Sequence, residues 1–245
     1  MLEIKNVNKK YWKTRALEDV SFSVAPGEIV GLFGENGAGK TTLLKCIPGF
    51  LDYSGEILLD GEPVSRKNVR KISFATSEHS FFPELTAKAH EEFYKDHFPC
   101  FDQKRYDGLM KFFGLPENKK LKSFSTGQQN QYEMILALSQ GAELILMDEP
   151  FAGNDLFNRE DFYKVLLGIL RPDESVIIST HLIEEVSGFV SRAVLIRRGE
   201  IVGDKTISEM DAEGKDLVSF VKESYGYSED RVAEALADIT GEVKP

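Results

Sequence analysis

Eight consecutive residues, Gly34 to Thr41, read GENGAGKT and match the pattern G-x-x-x-x-G-K-[ST]. The glycines let consecutive backbone N–H groups curl around phosphate oxygens, and the helix that follows adds its positive N-terminal end. Lys40 is predicted to reach the β- and γ-phosphates of a nucleotide, while Thr41 offers a hydroxyl to Mg²⁺. The predicted phosphate-binding residues are Gly34, Glu35, Asn36, Gly37, Ala38, Gly39, Lys40, Thr41 and Thr42.

Two acids follow an apolar run, LILMD, at Asp148 and Glu149. Ligands of open α/β sheets bind at the carboxyl ends of strands, so Asp148 is predicted to hold Mg²⁺ through water. Glu149 is predicted to orient or deprotonate an attacking water. An ordinary acidic strand end is the alternative, and the phosphate loop favours the catalytic interpretation.

A second apolar run, SVIIST, is followed directly by His181. A single histidine is often a surface residue. At the end of a strand beside a phosphate site, however, a neutral imidazole can hydrogen-bond a γ-phosphate oxygen. The predicted catalytic residues are therefore Glu149, His181 and Lys40, and the predicted metal ligands are Thr41 and Asp148.

The stretch LKSFSTGQQNQ is polar and small, and it precedes the helical pattern YEMILALSQ. One interpretation is structural, because Ser125 can cap the helix by accepting a backbone N–H bond. The other is a binding role, since a helix N-terminus flanked by a serine hydroxyl and an open glycine, Gly127, attracts anions. Both interpretations are compatible with the residues.

The elements that must position these groups alternate between strands and helices. Strand patterns dominate the first third of the chain, helical patterns broken by prolines follow Ser77, and strands and helices alternate again after Tyr132. Such alternation is typical of a parallel sheet covered on both faces. The predicted divisions are a core at 1–76 and 131–205, an inserted helical subdomain at 77–130, and a helical appendage at 206–245.

Composition narrows the classes of protein. The 245 residues are 42% apolar, enough for a substantial core, and 40 acidic against 30 basic residues give a formal charge of −10. This charge opposes general binding to nucleic acid, although Lys119, Lys120 and Lys122 form either a local basic patch or a solvated face. No run approaches the roughly 20 apolar residues of a membrane span, and no secretory segment begins the chain, so we expect a cytoplasmic protein. Cys46 and Cys100 have no metal-binding or redox spacing and are expected to be reduced packing thiols.

Taken together, the phosphate loop, the Asp-Glu pair, His181 and the sequence FSTGQ resemble the ATP-binding subunits of ABC transporters, over about Met1 to Asp204. That family has a signature sequence usually written LSGGQ, which corresponds here to Phe124–Gln128. The resemblance implies that this signature contacts the γ-phosphate of ATP held by the facing subunit of a head-to-tail dimer. The residues carried over for this contact are Ser125, Gly127 and Gln128.

Two further positions follow from the resemblance. Tyr11 lies where the family places an aromatic residue that stacks on adenine; Trp12 is the rival candidate, and simple strand packing is the alternative for Tyr11. The stretch FAGND resembles the family's D-loop, in which Asp155 is the acid that communicates across the dimer. An Asp that caps the helix starting at Leu156 is compatible with that role.

The chain also departs from the family pattern. Ser77 stands where a glutamine normally touches Mg²⁺ and the membrane subunit, and either Glu78 or a water must fill that place. Thr126 replaces a signature glycine, Gln131 stands where arginine is common, and Asn154 replaces a leucine. Similar departures, and the segment FYKDHFPCFD, resemble a branch of bacterial ABC ATPases whose membrane subunits are separate polypeptides.

The resemblance implies an α/β fold: a P-loop NTPase with a central, mostly parallel sheet, an N-terminal antiparallel β subdomain and an inserted α-helical subdomain. It implies an ATPase that uses ATP and Mg²⁺, dimerises as a homodimer or heterodimer, and drives an integral membrane permease at the inner face of the cell membrane. Two alternatives are a soluble ABC ATPase of an assembly system, such as iron-sulfur assembly, and a nucleotide-sensing regulatory module with little turnover. Intact Glu149 and His181 argue against the regulatory module.

Overall fold

The computed structural model describes residues 1–76, 78–150 and 156–227. In these ranges the strands are β1 (Leu2–Tyr11), β2 (Thr14–Val24), β3 (Ile29–Phe33), β4 (Ser54–Leu59), β5 (Glu62–Pro63), β6 (Ile72–Ala75), β7 (Leu144–Asp148), β8 (Ser175–Thr180), β9 (Arg192–Arg197) and β10 (Glu200–Thr206). The helices are α1 (Lys40–Cys46), α2 (Ala87–His97), α3 (Gln103–Phe113), α4 (Thr126–Ser139), α5 (Leu156–Ile169), α6 (Ile183–Val186), α7 (Ile207–Ala212) and α8 (Leu217–Ser224).

The central sheet has the strand order β10-β9-β3-β8-β7-β6. All of its pairs are parallel except β9 with β10, which is antiparallel. Strands β3, β7 and β8 are buried at every position, as expected for parallel strands covered on both faces. A second sheet, β2-β1-β4-β5, is antiparallel throughout. The predicted fold class, including the N-terminal antiparallel subdomain, is therefore confirmed.

The central sheet separates two apolar cores, because successive side chains of a strand point to opposite faces. On β8, Ile177 packs with β1, β2 and α1, whereas Val176 and Ile178 pack with α4, α5 and the helices between β6 and β7. In the same way, Leu32 of β3 belongs to the first core and Phe33 to the second. The sheet thus carries the phosphate loop on a strand that is fixed from both sides.

Local sequence sets the helix starts between β6 and β7. Thr86 caps α2 by accepting a hydrogen bond from the backbone N–H of Ala89, and Asp102 caps α3 in the same way through Arg105. α3 ends at Gly114, whose φ of 63° is the left-handed conformation that glycine adopts at helix C-termini. These caps fix where each helix begins and ends, independently of distant contacts.

A buried ion pair ties α3 to the sheet. Both terminal nitrogens of Arg105 donate to Glu174, just before β8, at 2.9 Å, and the two side chains are 5% and 3% exposed. The guanidinium also donates to the carbonyl oxygens of Leu138 and Ile169, near the ends of α4 and α5. One side chain therefore joins three elements that are 33 to 69 residues away in sequence, and a bidentate, hydrogen-bonded pair is the form in which buried charge is tolerated.

One hairpin differs from the sequence expectations. The β9–β10 hairpin was missed, although AVLIRRGEIVG turns at Arg198 and Gly199, both with positive φ. α5 begins at Leu156, where the sequence analysis places a helix start. α7 and α8 lie within the predicted appendage at 206–245, and positions 228–245 of that appendage lie outside the described residues. In the described ranges no helix combines the length and apolar character needed to cross a bilayer.

Candidate functional site

The loop between β3 and α1 forms a tight backbone cradle. A Cβ added to Gly34 would lie 2.5 Å from the carbonyl oxygen of Ile196, and one added to Gly39 would lie 2.6 Å from that of Ala16. Gly39 also has a φ of 116°, which side-chain-bearing residues rarely adopt. Gly39 is the N-cap of α1 and has no side chain to cap it, so the first N–H groups of the helix point into the loop without a side-chain partner. The loop therefore requires glycine at these two positions and presents backbone donors suited to an anion.

Lys40 is the first residue of α1, and its side chain returns over the loop. The amine donates to the carbonyl oxygens of Gly34 at 2.6 Å and of Glu35 at 3.3 Å, and Lys40 is only 6% exposed. The same amine lies 3.5 Å from a carboxylate oxygen of Glu149. A buried cation thus stands between the loop and the predicted base, where a terminal phosphate of a nucleotide would need it.

The two acids follow each other at the carboxyl end of β7. Asp148 is 5% exposed and accepts a hydrogen bond from the Ser179 hydroxyl at 2.5 Å. Glu149 has a φ of 46°, an uncommon conformation for a residue with a side chain. Its carboxylate meets Nδ1 of His181 at 3.0 Å to each oxygen. The structure therefore brings Lys40, Glu149 and His181 together.

A cavity of about 180 Å³ lies beside this group. Its lining residues are Ala16, Glu35, Asn36, Gly37, Gly39, Lys40, Thr41, Thr42 and Glu149. Among the predicted phosphate-binding residues, Gly34 and Ala38 are buried behind the loop rather than at the cavity wall. The cavity combines backbone donors, one cation, hydroxyls and two acidic residues, Glu35 and Glu149, which suits a magnesium-bound polyphosphate.

The predicted signature residues lie at the tip of α4. The hydroxyl of Ser125 accepts from the backbone N–H of Gln128 at 3.2 Å, and Gln128 Oε1 accepts from the backbone N–H of Ser125 at 3.0 Å. This reciprocal pair is a capping box, so the structural interpretation of the motif holds. Ser125 is exposed, and Gly127 is half-buried. None of the described residues that line the phosphate cavity comes from this tip.

The aromatic candidates lie at the end of β1 and in the turn after it. Tyr11 is 42% exposed, and the amine of Lys9 lies 5.1 Å from its ring centroid. Trp12 is 99% exposed and has a φ of 51°. Neither is among the described residues that line the phosphate cavity. The geometry does not choose between them as a partner for a base.

The predictions for Asp155, Ser77 and Glu78 concern the loops that follow β6 and β7. Asp155, with the rest of the predicted D-loop, and Ser77 lie outside the described residues. Glu78, considered as a replacement for the missing glutamine, forms an ion pair with Lys45 at 2.6 Å. Lys45 is one helical turn after Thr41, so the carboxylate of Glu78 is held on the side of α1 that Thr41 shares.

Sequence reasoning missed two polar residues near the site. Ser179 was read only as part of an apolar strand, and Glu133 only as part of a helical pattern. Glu133 lies on α4, is 2% exposed, and accepts hydrogen bonds from the backbone N–H of Ser80 at 3.0 Å to each oxygen. With Asp148 and Glu149 it lines a small cavity. An acid within an otherwise apolar stretch of α4 was the available signal for Glu133; Ser179 offered none.

Glu133 leads to a prediction about pH. Burial raises the pKa of Glu133 from 4.5 to about 7, against the opposite effect of hydrogen bonds from Ser80 and Thr76. Because folding raises the pKa of Glu133, the folded state favours the protonated carboxyl. The contribution of Glu133 to stability is therefore fully present below about pH 4.5 and is lost as the pH rises through about 7. The Glu133→Gln variant should therefore gain stability relative to the natural protein between pH 5 and pH 8, by up to about 3 kcal/mol. Urea unfolding of the variant and of the natural protein at pH 5 and at pH 8 measures this difference in the free energy of unfolding.

The exposed residue Glu117 provides the control for that experiment. Glu117→Gln should leave the pH dependence of unfolding as it is in the natural protein. If Glu133→Gln and the natural protein lost stability in parallel between pH 5 and pH 8, the buried carboxylate would not titrate as described.

A parallel sheet that carries this glycine cradle, its lysine and a facing pair of acids defines a P-loop nucleoside triphosphatase. A family model described as ABC transporter matches residues 17–152. The ABC transporter ATP-binding protein YtrB of Bacillus subtilis is 30% identical over 218 residues, which cover 87% of this chain and 74% of the relative. The chain therefore belongs to the ABC transporter family.

Solved structures agree with this assignment. An ATP-binding subunit of an ABC transporter superposes with a TM-score of 0.80 at 24% identity, covering 92% of this chain and 98% of that one. A dimeric ATP-binding cassette in a post-hydrolysis state, bound to ADP and Pi, gives a TM-score of 0.74 at 25% identity, covering 84% and 98%. The chain is an ATP-binding and ATP-hydrolysing transporter subunit, which supports the transporter interpretation over both alternatives. Subunits of this kind dimerise and work with membrane permeases.

Proposed function

We propose that two copies of this chain, or one copy and a related subunit, close head-to-tail around two ATP molecules with Mg²⁺ and drive a separate membrane permease. One observation carries this proposal. The described residues that line the cavity beside Lys40 and Glu149 include none from the Ser125 tip. A second subunit can supply that tip, because an exposed serine and a half-buried glycine at a helix N-terminus suit a γ-phosphate.

The residues of the phosphate loop have distinct roles in this proposal. The backbone from Gly34 to Thr41 binds the phosphate oxygens, and Thr42 continues the first turn of α1. Lys40 moves its hydrogen bonds from the loop carbonyls to the β- and γ-phosphates, which are stronger, charged acceptors. Tyr11, or Trp12 in its place, stacks on the adenine. Asp155 carries the contact between the two subunits.

The hydrolytic groups act on the γ-phosphate. Thr41 and Asp148 would hold Mg²⁺, a fit supported by their hydroxyl and carboxylate chemistry, and the ion would neutralise charge that develops on the phosphates. Glu149 takes a proton from the attacking water, and His181 hydrogen-bonds a γ-phosphate oxygen. The same two side chains lie within hydrogen-bonding distance of each other, at 3.0 Å, so each orients the other.

Each predicted domain has its own role in this proposal. The nucleotide-binding core is residues 1–76 and 131–205. The helical subdomain with the signature tip is residues 77–130, and the appendage is residues 206–245. The boundary between residues 130 and 131 falls inside α4, so the tip and the core share one rigid helix. The permease would be a separate membrane protein, which places this subunit at the inner face of the cell membrane. Binding of ATP closes the dimer and hydrolysis opens it, and these movements change the conformation of the permease.

The Gly127→Glu variant tests the proposed contact between subunits. An acid in the first turn of α4 favours the helix dipole, so the variant should fold. It places a negative charge where the partner's γ-phosphate must lie. ATP binding by the single subunit should remain, while ATP-dependent dimerisation should disappear, as measured by sedimentation in the presence of a non-hydrolysable ATP analogue.

Gly108→Glu provides the matched control, because Gly108 lies in α3 and no atom lies within 4 Å of an added Cβ. This variant should dimerise as the natural protein does. An ATP-bound dimer that persists in Gly127→Glu would show that the α4 tip does not contact the nucleotide.

A further inference from the structure

One buried hydroxyl contacts both acids of the site. Ser179 lies on β8 opposite Asp148 of β7 and is fully buried. Its Oγ donates to Oδ1 of Asp148 at 2.5 Å and accepts from the backbone N–H of Glu149 at 3.3 Å. The carbonyl oxygen of Ser179 accepts from the same N–H at 3.0 Å. A serine hydroxyl has one donor and two acceptor sites, so it can make both contacts at once.

The contact with Glu149 supports an unusual backbone conformation. Glu149 has a φ of 46°, and such conformations persist only where surrounding contacts hold them. The two oxygens of Ser179 hold the N–H of Glu149 at this turn. This backbone conformation directs the Glu149 carboxylate to Lys40, at 3.5 Å, and to His181, at 3.0 Å.

The contact with Asp148 determines which carboxylate oxygen is used. The Ser179 hydroxyl engages Oδ1, so within the described part of the chain Oδ2 is the oxygen left for a metal ion or its bound water. Groups that hydrogen-bond a metal ligand orient it and change metal affinity. We propose that Ser179 is the positioning residue that sets both acids, the magnesium ligand Asp148 and the base Glu149. This inference rests on the proposed metal-binding role of Asp148.

Ser175, on the same strand, offers a matched control. Its hydroxyl is also buried, donates to the carbonyl oxygen of Ala25 at 2.8 Å, and accepts from the backbone N–H of Gly27 at 3.1 Å. The two serines therefore share residue type, strand, burial and hydrogen-bond pattern. They differ in that Ser179 touches the acids and Ser175 lies at the opposite end of β8.

The experiment compares metal binding in Ser179→Ala, Ser179→Thr and Ser175→Ala. Binding of Mn²⁺ in the presence of ADP is followed by electron paramagnetic resonance, which does not depend on turnover. Ser179→Ala should weaken Mn²⁺ binding about 10- to 100-fold, the usual effect of removing a group that orients a metal ligand. Ser179→Thr should restore it, Ser175→Ala should leave it unchanged, and all variants should bind ADP alike in EDTA.

Several results would overturn the inference. Unchanged Mn²⁺ binding in Ser179→Ala would do so, as would an equal loss in Ser175→Ala. If Ser179→Ala does not fold, the comparison passes to Ser179→Thr and Ser179→Cys. The thiol has nearly the same shape but is a weak donor, so equal Mn²⁺ binding by these two would reject the role. A natural protein that binds no Mn²⁺ with ADP would instead reject the proposed metal site itself.

Discussion

Glu149→Gln is expected to abolish steady-state ATP hydrolysis while leaving ATP binding intact. The amide has nearly the same shape as the carboxylate but cannot take a proton from the attacking water, so turnover should fall about 10²- to 10⁴-fold. Phosphate binding should not need Glu149, because the loop donors and Lys40 are unchanged in the variant. The variant should therefore accumulate as an ATP-bound dimer. Phosphate release and sedimentation with ATP measure the two effects.

Glu143→Gln is the control for this variant. Glu143 precedes β7, at the opposite end of the same strand, and its carboxylate pairs with Lys71 at the surface. The Glu143→Gln variant should hydrolyse ATP at the rate of the natural protein. Turnover close to the natural rate in Glu149→Gln would remove Glu149 from the role of base, and His181, whose imidazole contacts it, would become the candidate.

Lys40→Ala should remove most of the affinity for nucleotide. The Lys40 amine is buried at the loop and is the cation nearest to where the β- and γ-phosphates would lie. A hydrogen bond to a charged group contributes about 1.5–3 kcal/mol, so losing one weakens binding about 10- to 150-fold. Titration with a fluorescent ATP analogue measures the affinity, and thermal melting confirms that the variant folds.

Lys45→Ala is the control, because it removes a lysine from the same helix five residues later. Lys45 pairs with the exposed Glu78 rather than with the loop, so nucleotide affinity should change by no more than a few-fold. If Lys40→Ala and Lys45→Ala bound nucleotide equally well, Lys40 would not be a phosphate ligand.

Much of the fold could be predicted because its signals are local. The buried strands LILMD and SVIIST read as continuous apolar runs, and parallel strands covered on both faces need that pattern. The start of α4 was indicated by Ser125, and the structure adds Gln128 as its partner in a capping box. The β9–β10 hairpin was missed even though Gly199 marks its turn, because the polar residues of β10 weaken the apolar signal.

The phosphate loop could be predicted for the same reason, since its residues are consecutive. The contacts that complete the site join distant positions. Ser179 meets Asp148 across 31 residues, and Glu133 meets Ser80 across 53. A serine within an apolar strand has no spacing that reveals such a partner. The choice between Tyr11 and Trp12 also stays open, because both lie at one exposed hairpin and neither is fixed by packing.

We propose that ATP lies between the glycine cradle of one copy and the α4 tip of another. A crystal structure of Glu149→Gln grown with ATP and Mg²⁺ tests it most directly. We predict two nucleotides in a symmetric dimer, each bound by residues 34–41 of one subunit with Ser125 and Gly127 of its partner at the γ-phosphate. ATP-loaded monomers, or a dimer joined through another face with the α4 tips exposed to solvent, would contradict the account.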